Sequence, residues 1–138
     1  MRKTEVFFPF EPKPKGRPRF TRTGHAYTPK TTYDYEHQIR DYYKEQTDDY
    51  YDGPIKIRLI FYLPIPKSTS KKNRVLMESG EIKCIVHRDV DNLAKSILDA
   101  CNGLAFEDDK LITYMSASKE YASDGNVGTY MEIMEDID

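Results

Sequence analysis

The segment Ile55–Leu63 constrains the fold most. It is rich in isoleucine and aromatic residues. Asp52-Gly53-Pro54 closes it on one side, and Pro64 and Pro66 on the other. Proline donates no ladder hydrogen bond, so the run must begin and end there. Ile55, Ile57, Leu59 and Phe61 alternate with Lys56, Arg58, Ile60 and Tyr62, which predicts a strand with one strongly apolar face. A strand of that kind needs neighbours and a covering layer. Glu5–Phe10 reads as a second strand and Pro12–Pro29 as a loop. Thr31 or Thr32 would cap a helix running to about Gln46, with its tyrosines and Ile39 as an apolar stripe. Ser68 or Ser70 would start a short basic helix ending at Gly80, and Ile82–Val86 a short extended piece. A central helix is expected from about Asp91 to Asn102, with Gly103 as its C-terminal cap. Leu111–Tyr121 and Val127–Met134 would form a hairpin around Ser123-Asp124-Gly125-Asn126. The order β-α-β-(α)-α-β-β predicts a single α/β (α+β) domain over residues 1–138, a mixed sheet of about four strands with helices packed on it.

A chain of 138 residues can bury a core in one domain. The net charge of -2 gives no hint of a polyanionic partner, but its distribution does. Up to Lys30 the bases are Arg2, Lys3, Lys13, Lys15, Arg17, Arg19, Arg22 and Lys30, against Glu5 and Glu11. From Glu107 onward the balance reverses. Such asymmetry can place a phosphate-binding surface on a nearly neutral chain. Cys84 and Cys101 lack metal-ligand spacing and read as reduced thiols, Cys101 in the core. No secretory leader or membrane span is expected, and the setting is read as cytoplasmic. The histidines His25, His37 and His87 are scattered, without zinc-ligand spacing. No phosphate-binding glycine loop or nucleophile elbow is present, so no organic cofactor is expected.

The central helix carries the chemistry. At about 100° per residue, Asp91, Asn92, Lys95, Ser96, Asp99 and Asn102 share an arc of roughly 140°. Leu93, Ala94, Ile97, Leu98 and Cys101 fall opposite and would pack on the sheet. A helix cap at Asp89 or Asp91 and an Asp91–Lys95 pair would account for part of this face. They give no reason for Asp89 together with Glu107-Asp108-Asp109 beyond the helix. Two carboxylates about 5 Å apart repel by about 3 kcal/mol at an effective dielectric near 20. If Asp89, Asp91 and one of Asp108 or Asp109 converge, they need a cation. Mg²⁺ suits hard oxygen donors and leaves room for water and a substrate phosphate. It would polarise the phosphoryl oxygen and activate water, and Lys95 would stabilise the developing charge.

Lys13-Pro14-Lys15-Gly16-Arg17-Pro18-Arg19 packs four cations into seven positions, followed by Phe20 and, further on, Arg22. Prolines limit the loop's freedom and Gly16 permits close backbone approach. Cations at this density suit phosphates. Phe20 and Tyr27 are candidates for stacking on a base. Lys67, Lys71, Lys72 and Arg74 form a second basic group.

The run Asp89-Val90-Asp91-Asn92-Leu93-Ala94-Lys95, then Leu98-Asp99-Ala100, Asn102-Gly103 and Asp108-Asp109-Lys110-Leu111-Ile112, closely resembles the signature of the RusA family of Holliday junction resolvases. These enzymes are commonly carried by phages and prophages. Lys15-Gly16-Arg17-Pro18-Arg19-Phe20 resembles the basic segment of the phage-type branch. The resemblance spans most of the chain, with Arg88 standing where proline is common. It implies Mg²⁺-binding catalytic carboxylates at Asp89, Asp91 and Asp109, with Mn²⁺ as a substitute, and a catalytic lysine at Lys95. Asp108 and Asn92 match motif positions, and Asp108 is a further candidate metal ligand. It also implies a homodimer acting on four-way DNA junctions in recombination and repair; the expected DNA contacts, Lys13, Lys15, Arg17, Arg19, Phe20, Arg22, Lys71 and Lys72, are read from the basic and aromatic residues themselves. A flap or fork nuclease, or a DNA-binding module without catalysis, are the rival expectations. A phosphotransferase with a nucleophilic Asp fits less well, because here the acids open a helix.

Overall fold

The computed structural model describes residues 2–16, 19–123 and 125–137, with the backbone alone at Arg19. The first strand, β1, is Lys3–Phe8, ended by Pro9 rather than continuing to Phe10. Its alternation buries Thr4, Val6 and Phe8. The expected loop contains a small antiparallel ribbon, β2 (Arg19–Phe20) and β3 (Ala26–Tyr27). Helix α1 runs Lys30–Gln46. Its N-cap is Pro29 without a side-chain cap, and not Thr31 or Thr32. Thr32 instead turns inward and accepts the Gly16 amide at 3.1 Å. The predicted stripe holds for Tyr35, Ile39 and Tyr43, which are buried, while Tyr42 is partly buried and Tyr33 is exposed.

Strand β4 is Ile55–Leu63, as expected, with Ile55, Ile57, Leu59 and Phe61 in the core. Helix α2 is Lys71–Glu78, capped by Ser70, whose hydroxyl accepts the Asn73 amide at 3.2 Å. None of its residues is buried. Residues 82–86, expected to be extended, form no strand. Helix α3 is Val90–Cys101, and Gly103 follows its C-cap at φ +77. The Arg40 guanidinium of α1 donates to the Ala100 and Asn102 carbonyls at 2.8 and 3.3 Å, satisfying the α3 end and tying the two helices together. A single 3-10 turn, Asp109–Leu111, leads into β5 (Ile112–Tyr121), and the chain closes with β6 (Gly128–Glu135).

The four long strands form one mixed sheet in the order β1-β6-β4-β5. β4 runs parallel to β5 and antiparallel to β6, and β1 is antiparallel to β6. The expected β5–β6 hairpin is therefore absent, since β4 lies between the two strands. The cause is apolar content. β4 is buried along most of its length and takes the centre, and β6 buries Thr129, Met131 and Ile133 beside it. β5 is largely exposed, with Tyr114 and Met115 open, and takes the edge. Its parallel pairing with β4 requires a long crossover, which α2 and α3 provide. α1 and α3 pack on one face of the sheet in a single core with Val6, Phe8, Met131 and Ile133. Cys84 and Cys101 are free, Cys101 fully buried. Burial pushes the Cys101 thiol up to about 12. Among the described residues no helix is long and apolar enough to cross a membrane.

Candidate active site

Helix α3 buries Leu93, Ala94, Ile97, Ala100 and Cys101, which turns Asp91, Lys95 and Asp99 outward. One expectation for this helix needs correction. Ser96, placed on the polar arc, is buried, and its hydroxyl has no hydrogen-bond partner among the described residues. Leu98, expected on the apolar side, does pack against the core but is only partly buried. The lysine partner also differs. Lys95 pairs with Asp99, Nζ to Oδ2 at 3.4 Å, one turn toward the C-terminus. Asp91 does not hold Lys95; its Oδ1 accepts the Asn92 amide at 3.0 Å.

Asp89 occupies the N-cap position of α3 in extended conformation, but its carboxylate makes no capping hydrogen bond. Helix stability therefore does not explain it. Asp108 and Asp109 follow a tightly anchored loop. The Gly103 amide donates to Phe106 O at 2.8 Å, and Phe106 is fully buried. The Glu107 amide donates to Tyr51 O, and the Tyr51 amide to Ala105 O, each at 2.9 Å. This lacing fixes the acidic turn against the segment preceding β4. Asp108 accepts the Lys110 amide at 2.9 Å, which with Asp109 beside it holds its carboxyl below the usual carboxylate range. The Asp108 carboxylate raises the affinity of Asp109 for a proton. Desolvation and the field of Asp99 add to the rise, and the Lys95 ammonium opposes it. Asp109 thus shares its surroundings with the polar face of α3.

The basic segment is stitched to the same place. The Lys15 amide donates to Asn92 O at 3.1 Å. Its ammonium bridges Glu36 of α1 at 2.5 Å and Asp99 of α3 at 3.0 Å. Arg88 reaches Glu11 Oε2 and Pro12 O, both at 3.1 Å. Residues 11–16 therefore run beside the start of α3, with the β2–β3 ribbon beyond them. Lys15, expected to contact phosphate, is held by two carboxylates. Lys13 and Arg22 are exposed, as are Phe20 and Tyr27 on the ribbon, and Lys71 and Lys72 on α2. Arg17 and the side chain of Arg19 lie outside the described residues. Sequence reasoning took Asp99 for an ordinary helix-face residue and passed over Glu36. The i,i+4 spacing of Lys95 and Asp99 was a visible signal; nothing local announced Glu36.

The donor set around this face is made of carboxylate oxygens, which fits a hard cation such as Mg²⁺. The crowding of Asp108 and Asp109 is the charge imbalance such an ion relieves. The expected convergence is not present as drawn: among the described residues no three of His, Cys, Asp or Glu are grouped to hold a metal.

A family model described as "Endodeoxyribonuclease RusA" matches residues 9–134. The chain is also 32% identical over 123 residues to "Uncharacterized protein YqaN" of Bacillus subtilis (strain 168), covering 85% of this chain and 87% of that protein.

Proposed function

The chain belongs to the RusA endodeoxyribonuclease family, and from that premise we propose that it is a Mg²⁺-dependent resolvase of four-way DNA junctions. The observation that carries this reading is the composite face itself. Asp89 and Asp91 open α3, Lys95 stands one turn along it, and Asp109 comes within the field of Lys95 and Asp99. The basic segment lies alongside, fixed through Lys15.

Asp89, Asp91 and Asp109, with Asp108 next to Asp109, are the carboxylates that would hold the ion, and since they are not grouped around one point here, its binding would have to draw them together. Bound there, Mg²⁺ would polarise a phosphoryl oxygen and lower the pKa of an attacking water. The protein's own groups do the rest. The Lys95 ammonium neutralises charge that builds on the phosphate as water adds to phosphorus. Lys13, Arg17, Arg19 and Arg22 hold neighbouring phosphates and fix the strand's register over the acids. Lys71 and Lys72 on α2 extend that contact, and Phe20 and Tyr27 stack on bases opened at the branch. A four-way junction has approximate two-fold symmetry, so paired incisions call for a homodimer with two copies of this site. Junction processing of this kind belongs to DNA recombination and repair.

A synthetic four-way junction mixed with the protein and Mg²⁺ should yield paired nicks in opposed strands. No scission with either Mg²⁺ or Mn²⁺ sinks the proposal, and faster cutting of flaps or forks moves the specificity elsewhere. Asp91→Asn should bind the junction as the wild type does and cut it on the order of 100-fold or more slowly. Loss of binding as well would make Asp91 a structural residue.

A further inference from the structure

The polar face of α3 contains a connection that the proposed chemistry does not use. Asp99 Oδ2 forms ion pairs with two ammonium groups: Lys15 of the basic segment at 3.0 Å and Lys95 at 3.4 Å. Lys15 is the better buried of the two, with 22% of its side chain exposed against 60% for Lys95. Glu36 holds Lys15 from the α1 side, and the Lys15 amide is bonded to the α3 backbone at Asn92. Lys15 and Asp99 are therefore braced from two helices, and Lys95 hangs on the same oxygen from the solvent side.

We propose that Asp99 is a positioning residue for Lys95, and that Lys15 acts through it. Docking of the basic segment fixes the carboxylate, and the carboxylate fixes the ammonium that faces the scissile phosphate. This assignment rests on the nuclease reading above. An exposed lysine alone on a helix samples many rotamers, and catalysis needs one of them. Sharing one oxygen with a braced partner restricts those rotamers. It also couples two events: the segment that grips DNA and the lysine that serves the chemistry are set by the same side chain. A free Lys95 would still offer charge to the phosphate, but not from a fixed place.

The test compares K15Q, D99N, D99E and the K15Q/D99N double variant on a four-way junction. Junction affinity is measured separately in EDTA. D99N should lower kcat about 10- to 100-fold, with dissociation constants changed about twofold at most. D99E should recover part of the loss. K15Q should lower kcat in the same direction, and the double variant should be no slower than D99N, because Lys15 has nothing left to act through. Multiplicative losses in the double variant, or a D99N kcat equal to wild type, would overturn the proposal. Trypsin supplies a readout that needs neither metal nor DNA. The Lys15–Gly16 bond should be cut severalfold faster in D99N than in wild type, with cutting after Arg22 as the internal control. Equal rates at Lys15 mean that Asp99 does not brace the segment, and the coupling falls. Thermal melts of all four variants separate these effects from loss of fold. If D99N does not fold, D99E and K15Q carry the comparison. If the wild type cuts no branched DNA, the nuclease reading fails with the kinetic role, and the trypsin arm still decides the brace.

Discussion

Single residues decide how closely the basic segment approaches the helices. A Cβ on Gly16 would collide with Thr32 Oγ1, whose lone pair now receives the Gly16 amide. Gly16→Ala must push Thr32 aside or lift the segment, and either loses that bond. The expected cost is about 1–3 kcal/mol in urea unfolding, the usual range for overpacking. Lys15 makes a second residue-level prediction. Burial disfavours its charge, but the hydrogen bonds to Glu36 and Asp99 outweigh this, so its pKa stands above the ordinary 10.5. A folded-state pKa raised in this way gives stability that is complete below the unfolded value and lost as pH rises through the folded one. The wild type should therefore exceed K15Q in stability by a constant margin from pH 7 to about 10, and the margin should shrink at higher pH. Urea midpoints across that range provide the check. The sequence showed that Lys15 was charged and near glycine. It did not show that its partners were 21 positions away in Glu36 and further still in Asp99. Local spacing exposes neighbours on one helix, and an ion pair between elements depends on packing that no window contains.

Elements were most legible where composition and period agreed. β4, α2 and α3 appear where their prolines, caps and apolar stripes placed them, within a residue or so at the helix ends. β5 and β6 were found but wrongly joined. A turn-like stretch between two strands normally signals a hairpin, but here β4 lies between them, and just beyond β5 the Ala122 amide donates to Leu63 O at the end of β4 at 2.8 Å. The polarity of β5 was the available signal, since a central strand would not leave Tyr114 and Met115 exposed. α2 offers an element-scale prediction. It buries no residue, yet it is a capped helix bearing Lys71, Lys72 and Arg74. A helix that contributes nothing to the core can lose its charges without cost to the fold. K71A/K72A should keep the wild-type melting temperature within a degree or two, about the shift of a few tenths of a kcal/mol. Each phosphate contact contributes about 0.9 to the slope of log affinity against log salt. The double variant should therefore show a slope smaller by about 2 in a junction titration from low to moderate salt. An unchanged slope would mean that α2 faces away from the DNA.

At the scale of the whole molecule, much of the charge asymmetry is consumed internally. Arg2 pairs with Glu135 at 3.3 Å and Lys3 with Glu132 at 3.6 Å, because β1 lies against β6. Charges of the first and last strands thus meet, Lys3 being shared with Glu5 of its own strand at 2.7 Å, while among the described residues Lys13 and Arg22 beyond Pro12 and Lys71 and Lys72 on α2 remain an exposed positive surface. One such surface beside one acidic face serves one strand. Resolution needs two strands cut at symmetric positions, and one site would have to release and rebind between incisions. A supercoiled plasmid with an extruded cruciform distinguishes these cases. The first nick relaxes the plasmid and the cruciform is reabsorbed, so a second cut must come before the enzyme leaves. A homodimer should yield linear plasmid with little nicked circle, and a monomer mostly nicked circle. Mixing wild type with Asp91→Asn in excess adds a discriminating step. If subunits exchange, most active dimers carry one competent site, and the product should shift from linear to nicked as the variant increases. If the two chains are refolded together so that they can mix, and the ratio of linear to nicked product still stays fixed while total cutting falls, each cutting unit is independent of the variant chains, and the two-site arrangement is wrong.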